Sequence, residues 1–127
     1  MVKHLPYRYR DYSYIAAEAA LAARDQGKFR EMHLLLLDRS PRLDRDSLVG
    51  FARELKLDVP RFAKDLDTMR HREEIDRDVK LAEALDLYNT PTIFINGVKL
   101  LGDRPFEAYK SVIDQELKAA GPGGKKP

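Results

Sequence analysis

The chain has 127 residues, with 23 Lys+Arg against 21 Asp+Glu, a formal net charge of +2, 43% hydrophobic residues and no cysteine. This length favours a single domain, and the apolar content with balanced charge excludes a chain that is disordered throughout. The absence of cysteine excludes disulfide, thiolate and Fe–S chemistry within these residues. No apolar stretch approaches the roughly 20 residues that span a bilayer, and the near-neutral charge argues against nucleic-acid binding.

Helical periodicity dominates the chain up to about residue 87. An alanine-rich segment at residues 14–26 favours a helix that ends at Gly27. The apolar positions of a second helix recur every three or four residues until Ser40-Pro41 ends it: Phe29, Met32, His33, Leu36 and Leu37. Three more helices are predicted, the first capped by Asp44 or Asp46, the second capped by Asp58, and the third over residues 75–85.

The pattern changes after Thr90-Pro91. Two short apolar runs, Thr92-Ile93-Phe94-Ile95 and Val98-Lys99-Leu100-Leu101, flank Asn96-Gly97, which is the strongest short-range signal for a hairpin. A last helix is predicted around residues 104–119, and residues 120–127 read as a disordered tail. Since a lone hairpin is marginal in water and residues 2–5 are the only other strand candidate, most of a sheet is missing.

The stretch Thr90-Pro91-Thr92-Ile93-Phe94-Ile95-Asn96-Gly97 resembles the T-P-T-x-F-I-N-G sequence of the DsbA-like branch of the thioredoxin superfamily. In that branch the proline peptide bond is cis. The order of elements is also similar: residues 2–6 resemble the end of the second core strand, 13–87 the helical insertion, 90–101 the cis-proline hairpin and 104–119 the closing helix. The resemblance therefore implies an α/β, thioredoxin-like fold over residues 1–119 with an incomplete sheet.

The resemblance also shows where this chain departs from the family. A complete member begins with a strand and a helix that opens with Cys-x-x-Cys, whose thiolate attacks a substrate disulfide. This chain has neither, so it is expected to be a truncated member or a natural remnant, without a catalytic residue and redox-inactive alone. The resemblance implies that Thr90 and Pro91 bind substrate. Family members are commonly exported or periplasmic, but residues 1–10 are polar and basic and show no signal peptide.

Two functions follow from the resemblance. The chain is either the scaffold and substrate-binding part of a thiol–disulfide oxidoreductase, or a redox-inactive interaction module that keeps a strand-accepting groove near Thr90-Pro91. A purely helical partner-binding domain would require residues 93–101 to form no strands. The expected partner is an extended protein or peptide strand. The open edge along residues 93–95 also predicts homodimers by edge pairing or strand exchange, unless residues 2–5 fill the vacant position.

Two other patterns favour ordinary structural roles. His71 and Glu74 have the i, i+3 spacing of some helical metal sites, but one pair without further ligands favours a solvated helix face. We therefore expect no metal and no cofactor. Aromatic and basic residues alternate between Tyr7 and Tyr14, as on some platforms for single-stranded nucleic acid. Such a short patch in a balanced chain favours a loop that leads into the first helix, and no nucleic-acid partner is expected.

Overall fold

A computed structural model describes residues 1–7 and 12–122 of the chain. The chain comprises two compact units, Met1–Ala84 and Leu85–Pro127. In its described residues the first unit contains five helices: α1 (Ser13–Asp25), α2 (Phe29–Arg39), α3 (Arg45–Glu54), α4 (Val59–Thr68) and α5 (Arg72–Ala84). The second contains strands β1 (Thr92–Ile95) and β2 (Val98–Leu101) and helix α6 (Phe106–Ala120). Because two strands form, the purely helical alternative is wrong.

Helix α1 is the central helix of the first unit, and helices α2 to α5 all pack against it. Its residues from Glu18 to Ala23 are each 3% exposed or less, so this part of the helix is buried on all sides. Most of these residues are alanine, whose short side chain lets neighbouring helix axes approach closely. The alanine-rich composition thus determines both the helical conformation and the central position of α1.

The remaining helices contribute the larger core side chains. Met32, Leu48, Phe51, Phe62 and Leu66 lie in one cluster with the alanines of α1. Their regular spacing along α2, α3 and α4 confirms the apolar stripes predicted from the sequence, except that Leu37, predicted on the stripe of α2, is exposed.

The two N-caps follow the predicted chemistry. Asp44, and not Asp46, caps α3, since its carboxylate accepts hydrogen bonds from the backbone N–H and hydroxyl of Ser47. Asp58 caps α4 by accepting from the backbone N–H of Arg61 at 3.1 Å. The local sequence therefore predicted the start of α4, and it placed the start of α3 at one of two aspartates, of which the structure selects Asp44.

The strand predicted at residues 2–5 does not form, and the sheet in the described residues has only two strands. The segment is instead attached to α5. The backbone N–H of His4 donates to the buried carboxylate of Asp78 at 2.9 Å, and Lys3 Nζ lies 3.2 Å from the same carboxylate. A backbone donor bound to a side chain cannot join a strand ladder at the same time, so the prediction was wrong.

The second unit, as far as residue 122, consists of an antiparallel hairpin and one helix. Strands β1 and β2 pair with Thr92 opposite Leu101 and Ile95 opposite Val98, so Asn96 and Gly97 form a two-residue turn. Both turn residues have positive φ, 50° and 84°, as the predicted Asn-Gly hairpin requires. Every residue of β1, β2 and α6 is at least partly exposed to solvent.

Two expectations concern segments at the margin of the described residues. The aromatic and basic stretch from Tyr7 to Tyr14 includes residues 8–11, which lie outside them. Helix α6 extends to Ala120, one residue into the expected disordered tail, and residues 123–127 of that tail also lie outside.

Within residues 1–7 and 12–122, no helix combines the length and apolar character needed to cross a membrane.

The packing of the core predicts that two residues of α2 contribute very differently to the free energy of unfolding. Met32 is fully buried, whereas Leu37 on the same helix is 66% exposed. We expect Met32→Ala to lower the free energy of unfolding by about 2–5 kcal/mol, because it removes buried contacts and leaves a cavity. The matched variant Leu37→Ala should change it by less than about 0.5 kcal/mol. Urea unfolding measured by circular dichroism tests this, and equal losses in the two variants would contradict the described packing.

Candidate functional site

Thr90 and Pro91, the predicted substrate-binding residues, lie directly before β1, and both are exposed. The Thr90–Pro91 peptide bond is cis, as is Ser40–Pro41. The backbone N–H of Gly102 donates to the carbonyl of Pro91 at 2.9 Å, which extends the hairpin by one pair. The Thr92 hydroxyl donates to the carbonyl of Asn89 at 2.6 Å. These two bonds hold the loop at the base of the hairpin.

The hairpin presents an open edge next to this loop. In an antiparallel pair, successive residues alternate between facing the partner strand and facing away from it. Because Ile95 and Val98 flank a two-residue turn, Ile93 and Ile95 exchange hydrogen bonds with β2. The backbone groups of Thr92 and Phe94 therefore point away from β2. In the part of the chain that the structure describes, no third strand pairs with that edge.

A second polar cluster lies in the first unit, where α1 meets the start of α5. His71, 9% exposed, precedes α5 in the chain and contacts two carboxylates of α1. Its Nδ1 lies 2.8 Å from Glu18 Oε1, and its Nε2 lies 2.7 Å from Asp25 Oδ2. The backbone N–H of His71 also donates to the Glu18 carboxylate at 3.0 and 3.1 Å. Glu18 is completely buried, and its charge is compensated by these donors.

The carboxylates raise the proton affinity of His71. Burial by itself would lower the pKa of His71, but the hydrogen bonds and charge of Glu18, and then of Asp25, outweigh burial. The pKa of His71 consequently lies above its ordinary value of 6.5. Burial has the opposite result at His4, whose pKa is lowered although Asp78 and Glu74 are near.

The prediction that His71 and Glu74 lie on a solvated helix face is wrong for His71, whose side chain is buried. The structure gives the two residues different partners: His71 contacts Glu18 and Asp25, whereas Glu74 accepts two hydrogen bonds from Arg24 at 2.6 and 2.9 Å. These bonds hold the pKa of Glu74 below its usual range. Among residues 1–7 and 12–122, no group of three or more acidic or histidine side chains is arranged to hold a metal ion.

Glu18, the fully buried member of this cluster, was not among the residues predicted from the sequence. A signal was present, because Glu18 is three residues after Ile15 and four before Ala22, on the stripe that packs into the core. A lone carboxylate on an apolar stripe indicates a buried partner elsewhere in the chain. The spacing within α1 could not identify that partner as His71, which is 53 residues away.

The chain is similar to a known protein family and to solved structures. The family model for the DSBA-like thioredoxin domain matches residues 5–114. A thioredoxin-like oxidoreductase from Silicibacter pomeroyi has a similar structure, with a TM-score of 0.79 and 27% identity over 91% of this chain and 66% of that one. Oxidised BdbD from Bacillus subtilis aligns with a TM-score of 0.78 and 21% identity over 88% of this chain and 65% of BdbD. These similarities confirm the thioredoxin-like fold, here with a two-stranded, unclosed sheet.

Sequence similarity extends to a different class of protein. The chain is 40% identical over 112 residues to the Na(+)/H(+) antiporter NhaA 1 of Salinispora arenicola. The match covers 87% of this chain but only 17% of the antiporter. The chain thus spans about one sixth of the length of the curated relative.

The hairpin turn predicts the effect of adding one methyl group. Gly97 has φ of +84°, and open space surrounds the position of an added Cβ. Gly97→Ala should therefore destabilise the hairpin by about 1–2 kcal/mol through backbone strain alone. Lys99→Arg, a substitution at an exposed position of β2, is the control. Cross-strand nuclear Overhauser effects between Phe94 and Lys99 measure hairpin formation, and an unchanged intensity in Gly97→Ala would contradict the turn geometry.

Proposed function

The chain belongs to the DSBA-like thioredoxin domain family, and from that membership we propose that it is the scaffold and substrate-binding part of a DsbA-like thiol–disulfide oxidoreductase. One observation carries the proposal: the chain has the loop and hairpin that begin at Thr90-Pro91, but no cysteine. Under this proposal, a Cys-x-x-Cys helix outside these 127 residues performs the redox step, and the chain by itself is redox-inactive. Its similarity to about two thirds of the Silicibacter oxidoreductase agrees with a partial domain.

Thr90 and Pro91 are the proposed substrate-binding residues. They adjoin the strand edge at which the backbone groups of Thr92 and Phe94 point away from β2. An extended polypeptide can pair with such an edge through main-chain hydrogen bonds, which need no particular side-chain sequence. Exposed side chains on the hairpin, including Ile93 at 38% and Phe94 at 48%, add apolar surface for the bound strand. A homodimer through the same edge stays a prediction.

A second candidate is a redox-inactive interaction module that uses the same edge without any thiol chemistry. The antiporter relative supports it, because the matched region makes up 17% of a protein that is named for ion exchange and not for thiol–disulfide exchange. The reading frame upstream of Met1 distinguishes the two candidates. A strand and a Cys-x-x-Cys helix encoded there would support the oxidoreductase, whereas a genuine start codon without them would support the module.

Insulin reduction by dithiothreitol tests for redox activity. We expect the chain to leave the rate of insulin precipitation at the uncatalysed level, since thiol–disulfide exchange requires a thiolate and none is present. A thioredoxin-fold enzyme with an intact Cys-x-x-Cys pair is the positive control. Measurable, reproducible acceleration by the chain would contradict both candidates.

Amide chemical shifts test strand binding at the proposed edge. With a short extended peptide rich in valine and threonine, we expect the amide signals of Thr92 and Phe94 to move more than those of Ile93 and Ile95, which face β2. A peptide with the same sequence but N-methylated at alternate residues cannot pair in this way and is the control. Equal shifts with both peptides, or shifts confined to β2, would contradict binding at this edge.

A further inference from the structure

We propose that Glu18, Asp25 and His71 form a proton-dependent latch between α1 and the start of α5, closed at Asp25 while the imidazole carries two protons and open there when it carries one. The geometry carries the proposal. Both ring nitrogens of His71 lie within 2.8 Å of a carboxylate oxygen, and the two carboxylates are on the same helix, seven residues (two turns) apart.

Both contacts require protons on the imidazole. An ionised carboxylate can only accept hydrogen bonds, whereas a neutral imidazole has one N–H donor and one acceptor nitrogen. Only the imidazolium can therefore donate to Glu18 and Asp25 together. When it loses one proton, a nitrogen lone pair faces a carboxylate oxygen, and that contact becomes repulsive.

The contact that opens is the one to Asp25. Glu18 is fully buried, so its carboxylate has no access to water and keeps the remaining N–H of the ring together with the backbone N–H of His71. The Asp25 side chain is 20% exposed, so water can solvate its carboxylate once the ring nitrogen no longer donates. Arg24, whose guanidinium is 3.6 Å from Asp25, offers a second partner.

Other charged groups near the latch determine how far it opens. Arg24 also binds Glu74 on α5 through two hydrogen bonds, and this link does not depend on His71. On the N-terminal segment His4 lies near Glu74, and in the turn before α5 Arg70 lies 3.7 Å from Asp65 of α4. The Arg24–Glu74 pair should keep α5 attached, so the open latch loosens the start of α5 without releasing the helix.

The direction of the pH effect follows from the two charge states. The contribution of His71 to the stability of the first unit is fully present below its ordinary pKa of 6.5 and is lost as the pH rises through the higher pKa of the folded state. His4 acts in the opposite direction, because its pKa is lowered on folding. A His4→Gln background therefore isolates the effect of His71.

Nuclear magnetic resonance titration of the His71 ring is the direct test. We expect His71 to titrate above 6.5 and its pKa to fall in Asp25→Asn, which removes the negative charge at Nε2. Asp46→Asn, at a 93% exposed position on α3, should leave it unchanged. Titration at or below 6.5, or the same pKa in Asp25→Asn as in the unchanged chain, would overturn the proposal.

Hydrogen exchange reports whether the latch loosens α5. In the His4→Gln background, amide protection in the first turns of α5, corrected for intrinsic exchange, should fall several-fold when the pH rises above the pKa of His71, while that of α3 should stay constant. The fall should be larger in Glu74→Gln, which weakens the remaining link, and absent in His71→Gln if that variant folds. Constant protection of α5, or an equal fall in α3, would show that His71 is a static structural contact.

Discussion

Close packing around α1 is the constraint on which the first unit depends. The helix is buried over a continuous stretch of its length, and four other helices lie against it. Alanine makes this possible because each added methylene would push a neighbouring axis outward in a close-packed interior. Alanine itself buries little apolar area, so most of the hydrophobic stabilisation comes from larger side chains such as Met32, Leu48 and Phe62. Helix α1 thus allows the helix axes to approach closely, whereas α2, α3 and α4 supply most of the buried apolar area.

Helix α1 also carries a buried carboxylate whose charge the first unit must compensate. Glu18 lies on α1 among the buried alanines, where an uncompensated carboxylate would be strongly destabilising. Two donors of His71, one on the ring and one on the backbone, meet that requirement. The turn before α5 is thereby held at one position on α1. Glu18 therefore fixes where the turn before α5 meets the core, whereas the contact with Asp25 is the one proposed to depend on the protonation state of His71.

The second unit is organised by its backbone more than by a core. Its hairpin is held by strand pairing and an Asn96-Gly97 turn, and Asn96 Nδ2 lies 3.4 Å from Glu116 Oε2 of α6. Large apolar side chains on all three of its elements remain exposed, including Phe94 and Phe106. Small isolated hairpins are marginal in water. Open strand edges and exposed apolar side chains are, however, what the proposed binding of an extended strand requires.

The sequence alone determined the features that depend on near neighbours. The helix start at Asp58, the choice of Asp44 or Asp46 as the cap of α3, and the turn at Asn96-Gly97 follow from side chains within about four residues. The motif at Thr90-Pro91 identified the family. Only the tertiary structure decided that residues 2–5 are not a strand and that His71 is buried. Both outcomes depend on distant partners, Asp78 for the first and Glu18 for the second, 74 and 53 residues away. Local preferences do not specify which distant groups meet, because that depends on how α5 and the turn before it pack against α1 and against the N-terminal segment.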